Sequence, residues 1–187
     1  MITDIFYKNA SKMLMLFSIS PGSKFIRNEI KEKTLLHNIP LDRAINVLLK
    51  NRILIKEKRL LSLNFENKNV REIVDMMQKE HSRLKEIPLR IYYLLMDVSS
   101  ELSEKSGIKN IYLFGSYAKL IHTEKSDVDL AIVLKKDGNI AKEIKNIIAK
   151  IEKKYKRVIE MHFFDEKDMK QGDKLIKEIL RNGVAIF

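Results

Sequence analysis

The chain has 187 residues, 45% of them hydrophobic and 33% charged, with a formal net charge of +11. Apolar runs recur throughout, which excludes a disordered chain, and the length suits one ordinary domain or two small ones. The absence of cysteine excludes disulfides and thiolate metal sites. The stretch MITDIFYKNASKMLMLFSIS lacks the basic-then-apolar order of a signal peptide, and no apolar run approaches the ~20 residues of a bilayer span. A soluble cytoplasmic protein without a membrane partner is therefore expected.

The charge is uneven. Residues 1–65 hold 12 Lys/Arg against 5 Asp/Glu, a net of +7, whereas residues 66–187 hold 24 against 20, a net of +4. A basic surplus attracts polyanions, nucleic acid foremost.

Met13, Leu14, Leu16 and Phe17 form a helical stripe over Lys8–Ser20, and Pro21 and Gly22 end it. A second short helix is expected over Lys24–Leu36. A third follows, with Asn38 as its cap. Leu41, Ile45, Leu48 and Leu49 line one of its faces, and Asp42, Arg43, Asn46 and Lys50 line the other. Ile53–Ile55, the polar tetrad Lys56–Arg59 and Leu60–Leu63 read as a hairpin. Three helices and a basic hairpin over residues 8–66 resemble the winged helix-turn-helix domain, which sets a first domain at 1–66. The resemblance implies a recognition helix over Pro40–Asn51 and a wing over Ile53–Leu63. Arg43, Asn46 and Lys50 would then meet the major groove or phosphates of double-stranded DNA, and Lys56, Lys58 and Arg59 its backbone. The competing reading is an accessory domain that docks protein.

Residues 67–87 repeat apolar positions at three- and four-residue steps, Val70, Ile73, Val74, Met77, Leu84 and Ile87 among them, as a linker helix or as the seam of a homodimer. Pro88 breaks the run. Ile91, Leu94, Leu95, Val98 and Leu102 continue it to Gly107, a helix-ending residue. Strands are then expected over Ile111–Phe114, Val128–Leu134 and Arg157–Phe164, and a short one over Val184–Phe187. Helices are expected over Ile140–Lys153 and Lys174–Arg181. This is an α/β (α+β) domain at 88–187, built on a small mixed sheet.

Chemistry concentrates in IYLFGSYAKLIHTEKSDVDLAIVL, residues 111–134. Strand alternation sends Asp127 and Asp129 to one face and Val128 and Leu130 to the other. Two carboxylates on one face repel unless a cation sits between them, and a hard ion with oxygen ligands such as Mg²⁺ serves. Mg²⁺ shares its shell with phosphates, which points to a nucleoside triphosphate. Gly115 follows a strand, where a missing side chain lets backbone N–H groups approach phosphate; Ser116 adds a hydroxyl, and Lys119 a charge one turn later.

The segments GSYAK and SDVDLAIVL together resemble the nucleotidyltransferase superfamily related to DNA polymerase β, above all the minimal nucleotidyltransferases, over residues 88–187. The resemblance implies Gly115 and Ser116 at the triphosphate and Asp127 and Asp129 as ligands of two Mg²⁺ ions, with Mn²⁺ an alternative. One ion would activate an acceptor hydroxyl and the other would steady the leaving pyrophosphate. A third carboxylate on a later strand is also implied. Glu160 is the candidate and Asp165 the runner-up. The pattern often carries glycine after the basic residue; here Leu120 follows Lys119, a bulkier turn that narrows the entrance. His37, His81, His122 and His162 show no zinc spacing, although His162 falls close to Glu160 in sequence.

The expected function is thus transfer of a nucleoside monophosphate, from ATP by preference, to a hydroxyl of an unidentified acceptor, joined to a DNA-binding domain. A protein acceptor or a separate helical partner protein is among the expected partners. The alternative is a DNA-binding regulator or antitoxin-type protein whose transferase domain is a sensor or inactive.

Overall fold

Apolar residues on every side of Lys8–Ile19 (α1) make it a buried helix rather than an amphipathic surface one; Met13, Leu14, Met15 and Phe17 are fully enclosed. The computed structural model describes residues 7–84, 87–135 and 140–186. The chain divides into two compact units, Met1–Tyr93 and Leu94–Phe187.

In the first unit, the Pro21–Gly22 turn that ends α1 leads into a two-residue strand, Phe25–Ile26 (β1), where the sequence pattern suggested only helix. Helix α2 follows at Arg27–Thr34, and the Glu29 carboxylate accepts the Ile26 N–H at 2.7 Å, satisfying one donor at its start. Helix α3 spans Asn38–Lys50. His37, not Asn38, occupies the position before it, and no side-chain cap is made. Leu41, Ala44, Ile45 and Leu48 are buried, while Asp42, Arg43, Asn46 and Lys50 are exposed, as the periodicity requires. The hairpin is tighter than a four-residue turn. Strands β2 (Leu54–Glu57) and β3 (Leu60–Leu63) leave only Lys58 and Arg59 between them, with Lys58 at φ 55°. The sheet order is β1-β3-β2, antiparallel throughout. Asn64 and Asn67 donate to the Arg52 carbonyl at 3.0 and 3.1 Å, which ties the end of the hairpin to the turn after α3.

Helix α4 (Asn69–Arg83) packs on α1. Val70, Ile73, Val74 and Met77, the face expected as a linker or dimer seam, are buried inside this unit. The Gln78 side chain donates to the Ser18 carbonyl at 2.8 Å. Residues 85 and 86 of the 67–87 segment lie outside the described residues.

The unit boundary falls within α5 (Leu89–Leu102). The second unit continues with β4 (Ile108–Phe114), the single turn α6 (Gly115–Ala118), β5 (Val128–Leu134), α7 (Ala141–Tyr155), β6 (Ile159–Asp165), the single turn α8 (Asp168–Gln171), α9 (Lys174–Asn182) and β7 (Val184–Ala185). Phe187, the last residue of the expected final strand, lies outside the described residues. The sheet order is β6-β5-β4-β7. The β5–β6 pair is parallel and the other pairs are antiparallel, so the fold is mixed α+β. Strand β5 is central, and its run VDLAIVL is buried on both faces except at Asp129 and Leu134. Phe114 and Ala131 on one face pack with Ile179 of α9, Leu175 and Phe164.

Asp97, 4% exposed, accepts from the Lys154 ammonium at 2.8 Å and the Tyr155 hydroxyl at 2.7 Å, which pins α5 to the end of α7. Asp97→Ala leaves both donors without that partner. Because the Lys154 side chain is about one-third exposed and can partly rehydrate, the expected loss is about 2–3 kcal/mol, below the range for fully buried pairs. Denaturant titration of the variant against Asp97→Asn, which keeps shape and one acceptor, checks this.

Candidate active site

The site is assembled at one end of β5. Phe114 at the end of β4 and Glu160 at the start of β6 both stand in register with Asp129. Neighbours in register share a face, so Glu160 projects beside Asp129. His162, two residues on, follows on the same face.

Gly115 is what makes room. Its φ is +65°, a backbone conformation that side chains disfavour, and a Cβ built on it would stand 2.0 Å from Asp129 Oδ2 and 2.7 Å from Cγ. The Asp129 carboxylate therefore occupies the space of the missing side chain, and the Ser116 backbone N–H donates to it. Burial pushes the Asp129 carboxyl above its usual range; the Glu160 charge and then the Asp127 charge add to this, against the Ser116 bond and His162.

Asp127 is exposed and immediately precedes β5. The loop carrying it is closed on itself by the Thr123 N–H to the Ser126 hydroxyl (2.8 Å) and the Ser126 N–H to the Thr123 carbonyl (3.1 Å). Arg157 grips the loop from outside, donating to the carbonyls of Glu124 and Ser126. The Val128 N–H reaches the Val158 carbonyl at 3.0 Å. Behind the loop, Tyr117 stacks on His122 with centroids 4.4 Å apart. Burial raises the Tyr117 hydroxyl, Arg157 lowers it, and Asp127 adds to the rise. Sequence reasoning missed Arg157 and the Thr123–Ser126 clasp, because a lone arginine ahead of a strand has no periodic or motif signature.

Glu160 is exposed, and its Oε1 lies 3.2 Å from His162 Nε2. The His162 ring packs edge-on against Phe114, with centroids 5.2 Å apart. Asp165 is at the far end of β6, about 16 Å along the strand at ~3.3 Å per residue. It accepts the N–H groups of Lys167 and Asp168 at 2.7 and 2.8 Å. Its carboxylate is therefore engaged in the turn that leads into α8 and stands apart from the carboxylate set. Lys119 follows α6 and forms an ion pair with Glu178 of α9. Leu120 takes φ 60°, the Leu120 N–H bonds to the Tyr117 carbonyl, and the Ile121 N–H to the Ser116 carbonyl.

Carboxylate oxygens are the donors a hard divalent ion selects, and the mutual repulsion on Asp129 is what such an ion relieves. Among the described residues no three His, Cys, Asp or Glu side chains stand close enough to form a metal cage by themselves. The donor set fits Mg²⁺ held by one or two carboxylates with phosphate and water completing its shell, the usual arrangement for this ion.

In the first unit, Asn46, Lys56, Lys58 and Arg59 border one groove. Arg43 lies elsewhere, its guanidinium 5.9 Å from the centre of the Tyr7 ring. Lys50 is exposed at the end of α3.

Residues 97–187 match the model of the family described as Polymerase beta, Nucleotidyltransferase. The match covers just under half of the chain and makes this segment similar to nucleotidyltransferases of that family. No curated protein matches the chain. Among the described residues no helix is long and apolar enough to cross a membrane.

Gly115→Ala should cost the second unit at least about 2 kcal/mol, because the left-handed backbone alone costs ~1–2 kcal/mol for a residue with a Cβ and Asp129 must also move. Thermal unfolding measures it. Asp129→Asn should act in the opposite direction. Its folded-state carboxyl lies above the usual range, so ionising it opposes folding. The gain on substitution is fully present above the folded-state pKa, at neutral pH in EDTA, fades as pH falls through that value and is gone below the unfolded-state pKa of about 4. Melting curves of the two proteins from pH 3 to 7 should converge at the acid end.

Proposed function

We propose that the second unit transfers a nucleoside monophosphate from a nucleoside triphosphate, ATP by preference, to a hydroxyl of an acceptor molecule. The observation that carries this reading is the convergence of Asp127, Asp129 and Glu160 charge at the end of β5, beside the left-handed Gly115. Lone pairs crowded in this way are costly unless a cation and an anionic substrate arrive together.

In this reading Asp127 and Asp129 hold Mg²⁺, or Mn²⁺, with Glu160 as the third carboxylate. When bound, the metal supplies charge neutralisation at the transferring phosphoryl group and lowers the pKa of the acceptor hydroxyl. The chain's own part is positional. Ser116 and Gly115 fix Asp129 through the N–H bond and the vacant Cβ position. Arg157 and the Thr123–Ser126 clasp hold the loop that presents Asp127. His162 steadies Glu160. Ser116 and Lys119 face the triphosphate in this reading, and Lys119 must then exchange Glu178 for phosphate. The acceptor is a protein or another hydroxyl-bearing molecule.

The first unit, in the same proposal, is a winged helix-turn-helix domain that binds double-stranded DNA. Its helix–strand–helix–helix–hairpin order and the exposure of Arg43, Asn46 and Lys50 on α3 support this. A second reading, a DNA-binding regulator whose transferase unit acts as a nucleotide sensor, is favoured by the basic residues Lys56, Lys58 and Arg59, which have no ion-pair partner among the described residues. A homodimer would need a surface other than the α4 face, which is buried within the unit.

Asp127→Asn/Asp129→Asn should abolish Mg²⁺-dependent ATP binding with the fold retained. Unchanged calorimetric binding would remove the metal site from the proposal. Glu160→Gln should cut turnover by about 100-fold or more while nucleotide affinity stays within about tenfold, since two carboxylates remain; incubation with labelled triphosphate and mass spectrometry of modified products reads turnover.

For the first unit, duplex affinity should fall with salt with a log–log slope of about −0.9 per phosphate contact. Lys56→Ala/Lys58→Ala/Arg59→Ala should flatten that slope and weaken all sequences alike, whereas Arg43→Ala or Asn46→Ala should relax sequence preference. No binding to any duplex at low salt would reassign the unit to protein docking.

A further inference from the structure

The basic groove of the first unit is concave and apolar at its floor, features that phosphate-backbone contact does not require. It encloses about 450 Å³, within the ~300–1,000 Å³ of small-molecule sites. Ile26 of β1, Ile45 and Leu49 of α3 and Leu61 of β3 supply its apolar lining, Ile45 and Leu61 buried and Ile26 exposed. Asn28 in the first turn of α2 and Asn46 in the middle of α3 supply carboxamides from two sides.

Its charge is decided by which carboxylates are already engaged. Asp42 lines the groove, and Arg27 grips it in a fork, Nε to Oδ1 at 2.6 Å and Nη2 to Oδ2 at 2.9 Å. The hairpin's own carboxylate, Glu57, pairs with Lys24 at 2.8 Å. Lys56, Lys58 and Arg59 have no ion-pair partner among the described residues. Three uncompensated cations thus border one concavity with low-dielectric walls, a shape that concentrates positive potential. The matching ligand carries clustered negative charge at one end and an apolar, hydrogen-bonding body at the other. A duplex laid across the rim would satisfy the cations and leave the floor unfilled.

We propose that this groove is a second nucleotide site, which binds a nucleoside mono- or diphosphate with its phosphates on Lys56, Lys58 and Arg59 and its base against Ile26, Ile45 and Leu61 between Asn28 and Asn46. It is independent of the carboxylate site in the second unit and requires neither metal nor turnover. Because its cations are those offered to duplex DNA, the nucleotide and the duplex exclude one another.

The test uses the full chain carrying Asp127→Asn and Asp129→Asn in EDTA, so that the carboxylate site takes no nucleotide and a failure here is separate from a failure of the transferase reading. Titration with ADP, followed by calorimetry and by amide shifts, should give one saturable site with shifts at Asn28, Ile45 and Asn46. Lys56→Ala/Lys58→Ala/Arg59→Ala should weaken it at least tenfold, and Asn46→Ala several-fold, with Lys31→Ala/Lys33→Ala/Lys79→Ala as a charge-matched control that leaves it unchanged. ADP should bind more tightly than inorganic phosphate at equal ionic strength. Where a labelled duplex binds, ADP should release it. Equal affinity for phosphate and ADP, ADP binding indifferent to the triple substitution, or duplex binding without any saturable ADP site would each overturn the proposal.

Discussion

The missing side chain of Gly115 is the constraint on which the second unit's site depends. Asp129 belongs to a central strand that is otherwise buried on both faces, where an ionised carboxylate is expensive. Its oxygen is accommodated because the adjoining residue lacks a Cβ and turns the Ser116 N–H toward it. The parallel pairing of β5 and β6 then sets Glu160 alongside in register. One hydrogen bond and one empty volume thereby place a carboxylate where burial and two like charges all oppose its ionisation. Such opposition persists in a fold only where surrounding structure over-determines the position.

The two units handle charge in different ways. In the second, like charges are gathered: the Glu160 and Asp127 charges act on Asp129, while Lys119 is committed to Glu178 and Arg157 to the carbonyls of the Asp127 loop. In the first, Asp42 is committed to Arg27 and Glu57 to Lys24, and among the described residues Lys56, Lys58 and Arg59 have no ion-pair partner. These exposed pairs contribute little to stability in themselves, since surface ion pairs are worth roughly 0–1 kcal/mol. Their larger consequence is the sign of the field each leaves behind: a cation-seeking cluster in one unit and an anion-seeking groove in the other.

Much of this was readable from residue order. The strand expected from Val128 to Leu134 has those bounds, and the exposed face of α3 carries Asp42, Arg43, Asn46 and Lys50, because both signals repeat over many residues. What escaped was short or non-local. Strand β1 has two residues and so offers no alternation, and the single turns α6 and α8, with 4 residues each, are too short to repeat a helical pattern. Strand position ranked Glu160 ahead of Asp165, but the engagement of the Asp165 carboxylate by the N–H groups of the turn into α8 is not written in any local pattern. The engagement of Lys119 with Glu178 joins residues far apart in the chain, and no local pattern encodes it.

Leu120 was expected to act through its bulk. Its backbone carries the greater consequence. The pair of bonds from the Leu120 N–H to the Tyr117 carbonyl and from the Ile121 N–H to the Ser116 carbonyl is the Schellman closure of a helix, with Leu120 as the left-handed residue just past the cap. Glycine is the usual occupant of that position because it alone has no Cβ penalty there, so a glycine after the basic residue in the resembling pattern has a backbone reason. A leucine bears ~1–2 kcal/mol of strain instead, and more than half of its side chain is in solvent, so packing returns little of it. The closure nevertheless forms, because without it the Ser116 and Tyr117 carbonyls would lose their partners and the turn that aims the Ser116 N–H at Asp129 would loosen. The strain at Leu120 is thus tolerated by the same short turn that holds the Asp129 carboxylate in place.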